Sequence, residues 1–286
     1  MIQLIPENYS DSVRYFNDFF YLKIARPDLL SLKKILEKFA TIPYENISKI
    51  IKLSRNWDNQ RKIRLPDVVI DEHTKFQLGG TCFSLTFFLE TILLHHGYQC
   101  YPVMADMKAG KNIHCAIITI LDQKKYLVDP GYLLNEPMEM NSQKPRVYRT
   151  SSIGVELQFN EVTQEYELFT FNKNKMKWRY NFRDVPCPKE EFLQHWQASF
   201  TRSSMHGICL TKIQKDGLIY IHKNFMRETT FSSKKNYNIR NKYHKTINEI
   251  FGIKINLIEQ AQDALDINLE MEKKLGIFVP GGKKNQ

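Results

Sequence analysis

The stretch LGGTCFSLTFFLETILLHHG, residues 78–97, predicts a helix that is buried on every side. From Cys82 onward its residues are apolar nearly all round, as in a helix with no face turned to water. Gly79 and Gly80 stand directly before the helix and permit close backbone approach. Gly97 is a usual C-terminal signal. We therefore expect Cys82 at the N-terminus of a buried helix.

Cys82 has two interpretations at this position. The free N–H groups and the positive dipole end of a helix N-terminus favour a thiolate, which is the nucleophilic form of cysteine. A free cysteine is also a common small core residue. The stretch by itself favours neither the nucleophile nor the core residue.

The composition is that of a globular protein. The chain has 286 residues, of which 42% are hydrophobic, so disorder is excluded. The N-terminus shows no signal-peptide pattern, and no apolar run is long enough for a membrane span. The five cysteines form no C-x-x-C pair and no zinc-ligand cluster with histidine. We expect a soluble cytoplasmic protein with reduced thiols and no metal.

The net charge of +10 is compatible with a nucleic acid, an anionic membrane or an anionic small molecule as partner. One basic segment, KNKMKWRYNFR at 173–183, has aromatic residues between the cations, as in platforms that stack bases. The same alternation is typical of a half-buried strand. Because no nucleic-acid recognition signature is present, we favour the strand and expect neither a nucleic-acid nor a membrane partner.

The sequence pattern along the chain changes from mainly helical to strand-like and then to a mixture of both. This predicts an α+β fold with domains at 1–95, 96–190 and 191–286. The first region is mainly helical, with helical spacing in LLSLKKILEKFATIPYENI up to Pro43. The last region has helices and a hairpin with Asp216-Gly217 at its turn, and we expect its tail, PGGKKNQ, to be frayed. The middle region has six candidate strands that predict an antiparallel sheet or barrel: YQCYPVMADM, HCAIITI, KKYLVDPGY, GVELQFN, YELFTF and KWRYNFR.

A hairpin in the middle region supplies candidate partners for Cys82. In NIHCAIITILDQKKYLVDPGY, two strand-like runs flank a short loop at 121–124. This pairing places His114 near Gly131 and puts Asp129 diagonally across on the same face, roughly 5–8 Å from His114 at the Cβ atoms. A slip of one residue would send the two side chains to opposite faces. Taken singly, His114 fits a satisfied strand histidine and Asp129 a turn former; together with the thiol they form a chemically sensible set.

These residues resemble a known family. Gly79-Gly80-x-Cys82-Phe83, followed by His114 and Val128-Asp129, is similar to the arylamine N-acetyltransferase family, whose cysteine segment reads R-G-G-aromatic-C-F-E. Upstream, IPYENI at 42–47 resembles the PFENL element of the family. Downstream, FTRSSMHGICLTKIQKDGLIYIHKNFMRE at 200–228 and EIFGI at 249–253 resemble its third domain.

The resemblance implies a three-domain fold of helical bundle, antiparallel β-barrel and α/β lid around a papain/transglutaminase-like core. It gives the catalytic roles to Cys82, His114 and Asp129. It also implies acetyl-CoA or another acyl-CoA as cosubstrate, no permanently bound cofactor, and transfer through an acyl-enzyme to an arylamine, N-hydroxyarylamine or hydrazine. Such an enzyme would serve xenobiotic metabolism as a monomer or weak homodimer.

Residues beside the predicted triad are candidates for substrate and cofactor binding: Thr81, Phe83, Ile113 and Tyr132. The sequence departs from the family pattern before and after the cysteine. Leu78 stands in place of the arginine, Thr81 in place of the aromatic residue, and Ser84 in place of the glutamate. These departures affect the predicted identity of the acceptor more than the predicted reaction class, which is cysteine-dependent acyl transfer.

Three other functions remain open. They are an amide synthase that releases a carrier-bound or polyketide-type acyl chain, a transglutaminase-like thiol hydrolase, and a non-catalytic binding module. The remaining cysteines lack a glycine turn and a following helix, so we interpret them as packing residues: Cys100, Cys115, Cys187 and Cys209. Because neighbours in a strand face opposite sides, we expect Cys115 to point away from His114. Trp178 and Trp196 are interpreted as core residues.

Overall fold

The computed structural model describes residues 2–57, 60–149, 153–172 and 175–277. The helices in these ranges are α1 (Ser10–Phe19), α2 (Leu29–Phe39), α3 (Ile47–Arg55), α4 (Pro66–Phe76), α5 (Cys82–His95), α6 (Lys189–Ala198), α7 (Tyr243–Phe251) and α8 (Ile255–Lys274). The strands are β1 (Tyr44–Glu45), β2 (Gln99–Met107), β3 (Gly110–Leu121), β4 (Lys124–Val128), β5 (Met138–Glu139), β6 (Arg146–Arg149), β7 (Gly154–Asn160), β8 (Glu165–Asn172), β9 (Lys175–Phe182), β10 (Cys209–Gln214), β11 (Gly217–His222), β12 (Phe225–Thr229) and β13 (Lys234–Asn238).

Helix α5 lies at the centre of the N-terminal helices. Every residue from Cys82 to Leu93 is buried. On one side, the ring of Phe88 packs against Phe16 of α1 and Phe39 of α2, with ring centroids 5.7 and 5.6 Å apart. The prediction of a helix buried all round is confirmed. Its burial follows from the absence of any polar stripe that could face water.

The middle of the chain forms an eight-stranded antiparallel sheet in the order β5-β4-β3-β2-β9-β8-β7-β6. Its two edges come together: the Glu139 backbone N–H donates to the Tyr148 hydroxyl at 2.9 Å, and Arg146 donates to the Glu139 carboxylate at 2.7 Å. The sheet is therefore a nearly closed barrel, as the strand pattern predicted. The six predicted strands correspond to β2, β3, β4, β7, β8 and β9; the short edge strands β5 and β6 gave no sequence signal.

The β3–β4 hairpin has the register that the sequence predicted. Ile117 pairs with Val128, and Leu121 pairs with Lys124. The turn is two residues long, not four, and both of its residues have positive φ (+48° and +62°), as two-residue hairpin turns with I′ geometry require. Because the observed two-residue turn has the same centre as the predicted four-residue loop, the same residues of β3 and β4 pair.

A second antiparallel sheet has the order β1-β10-β11-β12-β13, so a strand next to α3 pairs with the C-terminal third of the chain. Gln214 pairs with Gly217, which puts the β10–β11 turn at Lys215-Asp216, one residue earlier than predicted. Helix α8 packs on α3, where Asn268 donates to the Ile50 carbonyl at 3.0 Å. The division at 1–95, 96–190 and 191–286 stays a prediction, and PGGKKNQ lies entirely outside the described residues.

None of the helices in the described ranges has the length and apolar character that crossing a membrane requires.

Candidate active site

The glycine turn before Cys82 packs directly on the IPYEN segment. A Cβ atom on Gly79 would lie 1.7 Å from the Pro43 carbonyl oxygen, so this position admits only glycine. The Gly80 carbonyl accepts a hydrogen bond from the Glu45 backbone N–H at 2.9 Å, and the Gly80 N–H donates to Pro43 at 3.3 Å. These contacts set the point at which α5 begins.

A buried ion pair holds the same turn. The Glu45 carboxylate accepts from the Gly79 N–H at 3.2 Å, and Arg64 donates to the Gly79 carbonyl at 2.6 Å. The Arg64 guanidinium lies 3.6 Å from the carboxylate, and the two side chains are 3% and 0% exposed. Residue 78 is leucine, whereas the family motif has arginine before the two glycines. The cation at this turn comes from Arg64. A buried charge of this kind needs its partners, and Arg64 also pairs with Glu72 at 2.7 Å, so we interpret Arg64, Glu45 and Glu72 as one unit.

Cys82 is the first residue of α5, and Thr81 occupies the N-cap position without a capping hydrogen bond from its side chain. Ser84 instead donates its hydroxyl to the Thr81 carbonyl at 3.1 Å. The Cys82 side chain therefore stands at the positive end of the helix dipole, which favours its anionic form.

Asp129 binds His114 as the hairpin register predicted. The His114 Nε2 lies 2.8 Å from Asp129 Oδ2, and the two side chains are 5% and 0% exposed. The same oxygen accepts from the Tyr180 hydroxyl at 2.6 Å, and Oδ1 accepts from the Tyr132 backbone N–H at 3.0 Å. Three hydrogen bonds thus orient a buried carboxylate, and the imidazole is left with Nδ1 for a second partner.

Cys82 lies beside this imidazole, and each of the two side chains acts on the charge state of the other. Both residues contact Gly131, where an added Cβ would lie 2.7 Å from His114 Cε1 and 3.0 Å from Cys82 Cβ. The structure therefore brings the three predicted triad residues together.

The electrostatics of the site favour a thiolate beside an imidazolium. A hydrogen bond from Cys115 is the largest cause that lowers the pKa of Cys82 well below its usual value; burial opposes it, and His114 adds to it. Burial by itself lowers the pKa of His114, but the charge and hydrogen bond of Asp129, with those of Cys82, raise it to about 10. At neutral pH the pair is thus poised as the nucleophilic thiolate form.

Cys115 lies next to Cys82, which the sequence interpretation did not predict. It was expected to be a packing residue that points away from His114. The structure places its thiol within hydrogen-bonding reach of Cys82 and 3.4 Å from the hydroxyl of Thr86, one turn further along α5. Alternation within β3 does not show which helix packs on each side of that strand, so the sequence carried no signal for this contact.

Lys49 is a second residue that the sequence did not indicate. Its Nζ donates to the Ser199 carbonyl at 3.0 Å and to the Ser199 hydroxyl at 2.7 Å, and it lies 4.5 Å from the centre of the Phe200 ring. Burial lowers the pKa of Lys49 to about 7. Its charge also contributes to the lowered pKa of Cys82.

The four predicted binding residues have different surroundings. Tyr132 packs its ring 5.3 Å from His114, and Ile113 is half-buried next to His114 in β3. Thr81 is buried beside Cys82. Phe83 is 1% exposed and packs in the core against Phe192, with ring centroids 5.4 Å apart, so we do not include it in the proposed site.

The remaining candidates are two tryptophans and the other cysteines. Trp196 is 1% exposed and belongs to the core, as expected, whereas Trp178, also expected in the core, is only half-buried. Burial raises the pKa of Cys187 to about 12 and that of Cys209 to about 11, so neither is a thiolate at neutral pH. Within the part of the chain that the structure describes, no group of three or more His, Cys, Asp and Glu side chains is arranged to hold a metal ion.

A barrel packed on a buried helix, with a thiol beside an imidazole that is hydrogen-bonded to a carboxylate, defines a cysteine-dependent class of enzyme. A comparison with protein-family models matches N-acetyltransferase over residues 28–260. The chain belongs to this acyltransferase family. The family resemblance of the sequence is thereby confirmed. In a comparison with curated proteins, nothing matches the chain.

Solved structures of arylamine N-acetyltransferases share the fold. The Mycobacterium abscessus protein is 15% identical with a TM-score of 0.78, covering 93% of this chain and 97% of its own. The Mycobacterium marinum protein in complex with CoA is 13% identical with a TM-score of 0.72, covering 91% and 98%. A Bacillus cereus arylamine N-acetyltransferase, whose structure has a Cys-His-Glu catalytic triad, is 16% identical with a TM-score of 0.69, covering 86% and 99%.

Proposed function

We propose that this chain transfers an acetyl group from acetyl-CoA, through a thioester on Cys82, to the nitrogen or oxygen of an arylamine, N-hydroxyarylamine or hydrazine. The observation that carries the proposal is the buried series Cys82–His114–Asp129 at the start of α5. The CoA complex of the related Mycobacterium marinum protein supports the donor. Membership of the family supports the reaction class.

In the first half-reaction, the Cys82 thiolate attacks the carbonyl carbon of the donor thioester. The bond between that carbon and the CoA sulfur breaks, and the His114 imidazolium gives its proton to the leaving thiolate. Asp129 keeps the imidazole in the orientation and charge state that this step needs. Since one thioester replaces another, the free energies of the two acyl thioesters are nearly equal. CoA then leaves the site before the acceptor reacts.

In the second half-reaction, the neutral His114 accepts a proton from the acceptor nitrogen or oxygen as that atom attacks the acetyl carbon on Cys82. The bond to the Cys82 sulfur then breaks, and the thiolate returns beside the imidazolium. The mechanism is therefore ping-pong, with Cys82 as the carrier of the acyl group.

Intact-protein mass spectrometry after brief mixing with acetyl-CoA tests the proposal. We expect a gain of one acetyl group, its absence in Cys82→Ser, and its discharge by an added arylamine or hydrazine. Cys100→Ser is the matched control, because it removes a thiol that burial keeps protonated, with a pKa well above that of Cys82. An acetyl group retained on Cys82→Ser would refute the nucleophile assignment.

Two outcomes would replace the proposal by an alternative. An adduct that forms only with a long-chain or carrier-bound thioester would indicate the amide synthase. Turnover of a glutamine amide or peptide without a thioester donor would indicate the hydrolase. The cytoplasmic location, the oligomeric state and a role in xenobiotic metabolism stay predictions.

A further inference from the structure

One segment of the chain connects the support of Cys82 with the support of His114. It runs from the end of α6 to the start of β10, and we call it the strap: residues 199–208. At its first residue, Lys49 of α3 donates to the Ser199 carbonyl at 3.0 Å and to the Ser199 hydroxyl at 2.7 Å. This contact fixes the beginning of the strap on α3.

The second half of the strap is fixed beside the glycine turn that precedes α5. The Asn46 side chain donates to the Gly207 carbonyl at 2.8 Å and to the Ser204 carbonyl at 3.3 Å. Glu45, the residue before Asn46, donates its backbone N–H to the Gly80 carbonyl at 2.9 Å. This half of the strap is therefore held by the same segment that packs on the glycine turn.

The middle of the strap reaches the barrel through Arg202. The Arg202 Nη2 donates to the Asn112 carbonyl at 3.1 Å. Asn112 lies two residues before His114 in β3, and two residues of a strand span about 7 Å. Because the strap is tied to the support of Cys82 at both ends and to the strand of His114 in its middle, it forms one wall of the site.

The guanidinium of Arg202 is a half-buried cation without a carboxylate partner. The bond to Asn112 uses one of its five N–H groups. Within the ranges that the structure describes, Arg202 forms no ion pair, whereas His206 of the same strap pairs with Glu272 at 2.6 Å. Burial lowers the pKa of Arg202, and the charge of Cys82 opposes that shift. Since arginine stays protonated in proteins, the wall of the site carries a permanent positive charge.

Arg202 is also one of the partly exposed neighbours of the triad. Cys82 and His114 are buried, at 8% and 4% exposed. A molecule that reaches the thiol therefore approaches over half-buried side chains beside them, among which are Ile113, Tyr132 and Arg202. These three offer apolar contact, aromatic contact and one positive charge. The combination suits an aromatic ring that carries an acidic group.

We infer that Arg202 binds an anionic substituent of the acyl acceptor, so that the enzyme selects arylamines or hydrazines that carry a carboxylate. The inference rests on the proposed function. A planar guanidinium can donate two parallel hydrogen bonds to a carboxylate, which gives attraction and a fixed orientation together. At neutral pH the carboxylate of such a molecule is ionised while its arylamine nitrogen is unprotonated, so the bound acceptor keeps its nucleophile.

Two acceptors that differ in the charge of one substituent test the inference: 4-aminobenzoate and 4-aminobenzamide. The readout is the ratio of kcat/KM for 4-aminobenzoate to kcat/KM for 4-aminobenzamide. In Arg202→Gln we expect this ratio to fall about tenfold, mainly through KM for 4-aminobenzoate, because the variant removes a hydrogen bond between charged groups. A purely structural role of Arg202, through Asn112 and His114, would affect both acceptors and leave the ratio unchanged.

Arg14→Gln is the matched control. It removes the same charge from an exposed position of α1, and its ratio should stay within about twofold of the wild-type ratio. An unchanged ratio in Arg202→Gln would overturn the inference. Slower acetylation of Cys82 by acetyl-CoA in Arg202→Gln, again with an unchanged ratio, would overturn it in favour of a contact with the donor. A wild-type acetyl-enzyme that a neutral hydrazine discharges and 4-aminobenzoate does not would exclude the acceptor class.

The failure of the proposed function would be a separate result. If acetyl-CoA does not acetylate the wild-type protein, the proposed function fails, and calorimetry with the same two aromatic acids and amides still tests Arg202. Binding of 4-aminobenzoate to the wild type that is tighter than that of 4-aminobenzamide and is weakened in Arg202→Gln supports the carboxylate site. Absent binding to the wild type, or equal binding to both proteins, overturns it.

Discussion

Gly131→Ala adds a single methyl group between the members of the triad. The new Cβ would lie 2.7 Å from His114 Cε1 and 3.3 Å from Asp129 Oδ1, whereas ordinary contact begins near 3.4 Å. Gly131 is not among the glycines with positive φ, so the substitution causes no backbone strain and acts through contact alone. The imidazole must move by about 0.7 Å to reach ordinary contact.

A displacement of this size costs activity more than stability. Because a misplacement of about 1 Å can cost roughly 10²-fold in rate, we expect kcat to fall by about 30- to 100-fold, or about 2 to 2.7 kcal/mol in the activation free energy. Overpacking should reduce the free energy of unfolding by about 1–3 kcal/mol. The assays are steady-state transfer of acetyl to an arylamine, iodoacetamide labelling of Cys82, and thermal unfolding.

Gly154→Ala is the control for overpacking as such. Its Cβ would lie 2.2 Å from the ring of Phe171, on strands β7 and β8, with none of the triad among its nearest neighbours. We expect it to lower the melting temperature while the folded enzyme keeps its rate of Cys82 labelling. A Gly131→Ala enzyme with kcat within about threefold of the wild type would refute the packing of His114 against residue 131.

Three further predictions concern charge. Cys115→Ala removes the main cause of the low Cys82 pKa, so the pH midpoint of iodoacetamide labelling should rise by about one unit; an unchanged midpoint would contradict the contact. Asp129→Asn removes the charge that raises the pKa of His114, and labelling at pH 7 should slow by about 10²-fold or more, whereas a wild-type rate would exclude this pairing. Burial lowers the pKa of Lys49 from its usual value of 10.5 to about 7 in the folded protein. Between these two values the unfolded chain binds more protons at Lys49 than the folded protein does, so the free energy of unfolding rises with pH toward pH 10. Urea unfolding at pH 7 and 9.5 should show a rise in stability that is about 3 kcal/mol smaller in Lys49→Met than in the wild type, and equal rises would refute the low pKa of Lys49.

Much of the local architecture could be predicted from the sequence. The burial of α5 follows from its lack of a polar face, and the β3–β4 register follows from the centre of its short turn. That register brings Asp129 to His114 across only fifteen residues of chain. These features depend on neighbours in sequence, so local pattern and turn chemistry are enough to define them.

The tertiary structure decided how the triad is supported. Tyr180 reaches Asp129 across 51 residues, and Lys49 reaches Ser199 across 150. The contact of Cys115 with Cys82 depends on how α5 crosses the barrel, and so does not follow from the sequence; Arg64 likewise meets Glu45 from another segment of the chain. No periodicity indicates such partners, because which side chains meet between packed elements depends on the relative placement of those elements, and local pattern leaves that placement open.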